Sequence, residues 1–174
     1  MTSVVGICKA ASMIQNVDVV VSFRTTQGES PLVAIGYDSR INQFSHIKNL
    51  WPALRAGGTT PEGLCFEAIM DDFVAGTNNR DSYFLNFSDG MPMFSTNDFT
   101  YYNDNAVSHT KKMITEMRTR GIKVLSYFIG DGEYRRDETM IAFKKMYGKG
   151  AAFVDVTSVL AVAKTMNKLF LEKN

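Results

Sequence analysis

From residue 57 onward the sequence alternates between short apolar runs and longer segments of helical period, and this alternation most narrows the folds open to the chain. Tyr83 to Phe87, Ile122 to Ile129 and Ala151 to Val156 read as strands. Between them, Val107, Thr110, Met113, Ile114 and Met117 recur at helical spacing up to Gly121, and Asp137 to Tyr147 forms a further helix. A strand that reaches the next strand through a helix must cross over and lie parallel to it, and the helices then cover the sheet on both faces. The expectation is therefore a three-layer α/β domain with a mainly parallel sheet. Before residue 57, Val4, Val5, Cys8, Ala11, Ser12 and Ile14 mark a helix. Val17 to Phe23 reads as a buried strand, Thr25 to Pro31 as a turn and Leu32 to Tyr37 as a second strand. A weak helical segment spans 43–55 around Ile47, Leu50 and Leu54, and residues 91–105 read as a long loop. A last helix is expected from Thr157 or Ser158, carrying Leu160, Ala163, Met166, Leu169 and Phe170.

The 174 residues fit one domain, 1–174, large enough to hold a core without disulfides or a structural metal. Lysine and arginine number 19 against 18 acidic residues, a formal charge of +1, so no broad field draws the chain to nucleic acid or to an anionic membrane. Cys8 and Cys65 sit in apolar helical patterns and read as buried thiols. Residues 1–16 hold one basic residue, Lys9, without the division of a secretory signal, and no apolar run is long enough to span a bilayer. A cytoplasmic protein is expected. His46 and His109 have no neighbouring nucleophile signature, which leaves no histidine-based catalytic pair.

The most informative stretch is GGTTPEGLCFEAI, Gly57 to Ile69. Thr60 precedes a proline and is placed to cap a helix that opens at Pro61, with Glu62 in its first turn where the helix dipole favours negative charge. Leu64, Ala68, Ile69 and Phe73 mark its buried face and Gly76 its expected end. In an open α/β sheet ligands gather at the carboxyl ends of the strands. Thr59 and Thr60, Asp89 of Ser88-Asp89-Gly90, and Asp131 of Gly130-Asp131-Gly132 all belong at that edge. A hydroxyl and a carboxylate meeting there suit a hard divalent cation such as Mg²⁺.

GGTTPEGLCFEAI followed by YFLNFSDGMP and a strand ending in FIGDG resembles the von Willebrand factor A domain over nearly the whole chain. It is most similar in style to the C-terminal domain of the CobT-type cobaltochelatase subunit and its phage-encoded relatives. That resemblance implies a metal-ion-dependent adhesion site, with Thr59 as its hydroxyl ligand and Asp89 as the acid that holds the ion through water. The sequence departs from the family by lacking a D-x-S-x-S motif, and its first residues match the helix that follows that motif. Metal binding is accordingly expected to be weak or absent. In the family the sheet order resembles 3-2-1-4-5-6, which puts the strand bearing the motif in the middle. Without it, the strands at Val17–Phe23 and Tyr83–Phe87 face an empty slot. Three outcomes are open: a truncated or decayed reading frame, which is preferred; direct closure of the two strands, second; or a strand donated by another chain, including self-association through the exposed edges.

The resemblance implies a non-catalytic interaction module. Its partner would be a hexameric AAA+ ATPase of the cobaltochelatase or MoxR type, in a bacterial or phage-infected cell, with a role in ATP-driven metal insertion or protein remodelling. Thr60, Asp131, Phe99, Tyr101 and Tyr102 are the expected partner contacts. No P-loop is present, so ATP hydrolysis would belong to the partner. The rival reading is a small α/β enzyme that binds a phosphorylated or nucleotide ligand at the same edge; a third is an inert remnant.

Overall fold

The computed structural model describes residues 2–55, 57–77, 79–129 and 136–154. The element order is α1 (Thr2–Ala11), β1 (Val20–Gln27), β2 (Ser30–Asp38), α2 (Phe44–Leu50), α3 (Glu62–Ala68), β3 (Ser82–Ser88), β4 (Phe94–Ser95), β5 (Thr100–Tyr101), α4 (Asn103–Thr119), β6 (Ile122–Ile129), α5 (Arg136–Tyr147) and β7 (Ala151–Val154). Asp131 and the helix expected from residue 157 lie outside the described residues.

The second half of the chain folds as its alternation demands. β3, β6 and β7 form a parallel sheet in the order β3-β6-β7, with Ser82 opposite Ile122 and Ser126 opposite Ala151. α4 carries the chain from β3 to β6, and α5 from β6 to β7. α4 is a helix because Ala106, Val107, Thr110, Met113, Ile114 and Met117 recur on one buried face. It ends at Gly121, whose φ of +77° only glycine adopts without cost. Phe66 of α3, Met113 and Ile114 of α4, and Phe143 and Tyr147 of α5 pack with Val124 and Phe128 of β6 as the main core on one face. On the other face Ile7 of α1 packs with Leu85 and Phe87 of β3 and with Leu125 and Tyr127 of β6. The parallel sheet is thus a middle layer between helices, as expected.

The first half departs from expectation. β1 and β2 pair antiparallel as a separate two-stranded sheet. The turn expected over Thr25 to Pro31 shrinks to Gly28-Glu29, because the β-branched Thr25 and Thr26 continue the strand and Gly28, at φ +57°, supplies the first central position of a tight hairpin. β1 starts three residues later than the expected Val17, and its residues are exposed or half-buried instead of being buried throughout. The hairpin has its own small core: Tyr37 and Ile47, with Cys8 of α1, are buried among Val4, Val21, Phe23, Leu50 and Trp51. α1 therefore lies over both sheets, giving Cys8 to one and Ile7 to the other.

Direct closure of the central slot does not occur. Among the described residues β1 pairs with β2, β3 pairs with β6, and neither pairs with the other. They nevertheless lie side by side and run the same way. Arg80, just before β3, reaches Asp18, just before β1, at 3.3 Å. Six residues further along β1, Arg24 donates to the Phe87 carbonyl, seven residues further along the other strand, at 3.2 Å. Matching advances on both strands mean parallel courses across a gap crossed by arginine side chains.

α3 opens at Glu62, with Pro61 in the cap position and no side-chain cap bond, so Thr60 is not the cap. The helix also stops at Ala68, followed by a 3-10 turn at Met70–Asp72. Gly76 instead lies against Gly121, its N–H donating to the Arg120 carbonyl at 3.2 Å, where an added Cβ would collide with the Gly121 carbonyl. The expected loop 91–105 contains the short hairpin β4–β5, in which Phe94 faces Tyr101.

Candidate functional site

The loops at the carboxyl ends of β1 and β3 are tied together. Thr25 Oγ1 donates to the Gly57 carbonyl at 3.1 Å, and the Thr59 N–H donates to Thr26 Oγ1 at 3.2 Å. The Thr60 carbonyl accepts the N–H of Met93 at 3.1 Å, which joins the threonine loop to the segment after β3. Thr59 and Asp89 therefore share one edge of the molecule. Thr59 is half-buried and Asp89 exposed. Among the described residues no group of three His, Cys, Asp or Glu side chains is placed to hold a metal. One hydroxyl and one exposed carboxylate make a poor fit for Mg²⁺, which keeps its own waters unless several oxygens replace them.

The aromatic residues of the rim divide. Tyr101 is buried at 4% exposure, whereas Phe99 and Tyr102 are 46% and 50% exposed. Tyr101 packs with Phe94, Ala106 and Leu64. Its hydroxyl lies 3.0 Å from His109 Nδ1, and His109 Nε2 lies 3.4 Å from Glu67 Oε2. The Tyr101 hydroxyl also lies within donating distance of the Ala106 carbonyl, at 3.3 Å, and the direction of its contact with His109 depends on which imidazole nitrogen carries the hydrogen. Burial pushes the Tyr101 hydroxyl above its ordinary range, so the ring is a neutral internal post rather than a reactive group. Gly63 makes this packing possible: a side chain there would collide with the Tyr101 hydroxyl and with Thr110. Phe99 stacks on Tyr101 with ring centroids 6.3 Å apart, so an exposed ring rests on a fixed one.

Beneath the rim lies a polar network that sequence reading missed. Glu62 is fully buried and pairs with Arg24 of β1 at 2.6 Å. Asn86 Nδ2, in the middle of β3, lies 3.1 Å from Glu62 Oε1, 2.6 Å from Ser126 Oγ and 2.9 Å from the Tyr147 hydroxyl. Its two hydrogens serve two of these oxygens at a time. Burial, with the Glu62 carboxylate next, pushes the Tyr147 hydroxyl well above its ordinary range. The guanidinium of Arg24 also lies over the Phe66 ring, 5.3 Å from its centroid. One atom of each main member is left without a partner: Arg24 Nε, Glu62 Oε2 and Asn86 Oδ1. The helix dipole accounts for an acid at Glu62 in the first turn but not for its burial, because its partner is 38 residues away on another strand. The available signal was Asn86, a lone amide inside the apolar run YFLNF, which needs a polar partner wherever that run is buried.

No family model and no curated protein matches this sequence. No helix of the described residues is long and apolar enough to cross a membrane. The functional reading therefore rests on the rim and on the network below it.

Proposed function

We propose that this protein is a non-catalytic interaction module that engages a protein partner through the carboxyl rim of its sheet. The supporting observation is a set of exposed apolar side chains on a braced loop. Met93 is 52% exposed, Phe99 46% and Tyr102 50%. Phe94 and Tyr101, buried between them in sequence, fix the loop to α4, and the Met93 N–H ties it to Thr60. Aromatic anchors held rigid before binding lose little entropy on docking, which is how a few residues come to dominate an interface.

By its resemblance to the von Willebrand A domain of the CobT-type subunit, the partner we propose is an AAA+ ATPase of the cobaltochelatase or MoxR type. Thr60 and Asp89 would border the contact, and any divalent ion at Thr59 and Asp89 would be weakly held. The test is binding of such an ATPase by biolayer interferometry, comparing the unaltered chain with a Phe99→Ser/Tyr102→Ser variant, in Mg²⁺ and in EDTA. The reading expects saturable binding, at least a tenfold loss in the variant and little change in EDTA. Equal binding by the variant, or no binding by the unaltered chain, removes this reading.

A further inference from the structure

We propose that the gap between β1 and β3 is an acceptor slot for an extended segment of a partner protein, and that this segment presents hydroxyl side chains to Glu62 and Asn86. The proposal concerns the middle of the sheet and stands apart from the rim.

Three observations define the occupant. The first is the pair of open edges: among the described residues β1 and β3 each pair on one side only, although they run alongside one another. An unpaired strand edge is a row of backbone donors and acceptors that an incoming extended chain completes, and here two such rows face each other. Arg24 already serves one of these backbone acceptors, giving the Phe87 carbonyl a donor from the far side of the gap. β3 shows the consequence. Leu85 and Phe87 are only half-buried, whereas Leu125 and Tyr127 on the neighbouring strand are buried at 6% and 0%.

The second is that the gap has two different walls. On one face α1 spans it, with Cys8 packed against the hairpin and Ile7 against Leu85 and Phe87. On the other face lie Arg24, Glu62 and Asn86. Side chains of a strand point alternately to the two faces. An occupant must therefore alternate between apolar residues toward α1 and polar residues toward the network.

The third observation sets the polar chemistry. Glu62 is 0% and Asn86 1% exposed, and each carries an oxygen without a partner, Glu62 Oε2 and Asn86 Oδ1. Both are acceptors and call for a donor, whereas Arg24 Nε, also without a partner, calls for an acceptor, and a hydroxyl can serve in either role. Arg24 already balances the Glu62 charge, so a neutral hydroxyl fits better than a second cation. The segment is about as long as β3, which has seven residues.

The probe is a soluble peptide, acetyl-Lys-(Val-Thr)₃-Val-Lys-amide, added to the full chain and followed by hydrogen–deuterium exchange and fluorescence anisotropy. The expected result is saturable binding with slowed exchange in both β1 and β3 and no change in β6. Replacing every Thr of the peptide by Val should weaken binding about tenfold, and a central proline should abolish it, because proline lacks the backbone donor. Absence of binding at millimolar peptide overturns the proposal, as does protection confined to β2 or β7 at the outer edges. So does a free monomer whose β1 and β3 amides already exchange as slowly as those of β6, since the slot would then be filled from within. Concentration-dependent protection of the same amides without peptide, with a dimer in solution, would assign the slot to a second copy and also overturn it.

Discussion

The parallel sheet and the β1–β2 hairpin solve the same problem with unequal means. The central strand of the sheet, β6, is buried along most of its length and packed by α4 and α5 on one side. The hairpin is half-exposed, and its core rests on Tyr37, Ile47 and Cys8. The difference is one of neighbours. A strand with a partner on each edge and helices over it removes both its backbone and its side chains from water, whereas a hairpin beside a gap keeps one edge and much of one face wet. What joins the unequal halves is α1 on one face and the Arg24–Glu62–Asn86 network on the other.

If the sheet carries most of the stability, its core substitutions should dominate. Phe143 is fully buried and packs with Phe128, Tyr147 and Phe153. Phe143→Ala should cost about 3–5 kcal/mol in urea unfolding. Ile47→Ala in the hairpin core should fall near the lower end of its class, about 2 kcal/mol. Equal losses would break the comparison.

The joint comes next. Arg24→Met strands the buried Glu62 carboxylate and should cost about 3 kcal/mol, since removing one partner of a buried pair leaves an uncompensated charge. Combining it with Glu62→Leu should recover most of the loss. A double variant no better than the single would show that the pair does more than neutralise itself.

The network also sets an alkaline limit. The Tyr147 hydroxyl has its folded value raised by burial, so its neutral form is favoured by folding. Its contribution is complete below the unfolded tyrosine value, near 10, and is lost as pH rises from there through the folded value. Thermal melts between pH 8 and 11 should fall more steeply for the unaltered chain than for Tyr147→Phe. Parallel falls would remove Tyr147 as the cause. The smallest effect belongs to the hairpin end. Hydrogen bonds from Arg40 hold the Asp38 carboxyl below its ordinary range, so its contribution is present above the unfolded value and lost as pH falls through the folded one. Arg40 is half-exposed, and Asp38→Asn should cost about 1 kcal/mol or less at pH 7, with less penalty near pH 3.

What the sequence disclosed follows from how local each signal is. β6 was legible to the residue, Ile122–Ile129, because an apolar run, mostly β-branched and aromatic and interrupted only by Lys123 and Ser126, is bounded by Gly121 and Gly130. α5 and α4 were legible from their spacing and from Gly121. The hairpin was blurred because Thr25, Thr26 and Gln27 are as much turn-like as strand-like in composition, and only pairing with Ser30 to Leu32 decides it. Asp89 was legible as a rim residue because it directly follows β3, whereas Thr59 lies beyond α2 and reaches the end of β1 only through its N–H to Thr26 Oγ1. The network was not legible, since Arg24, Glu62, Asn86 and Tyr147 come from four separated elements, and pairing at such range leaves no periodic trace.

The central claim is that β1 and β3 lie parallel across an open gap and do not form a ladder with each other. A nuclear Overhauser spectrum of the free, isotopically labelled protein tests it directly. Backbone contacts should link Phe84–Asn86 with Val124–Ser126, where β3 and β6 are in register, and none should link Val21–Arg24 with Leu85–Phe87. Strong backbone contacts between those two stretches would mean that the strands have closed on one another, and the gap would not exist.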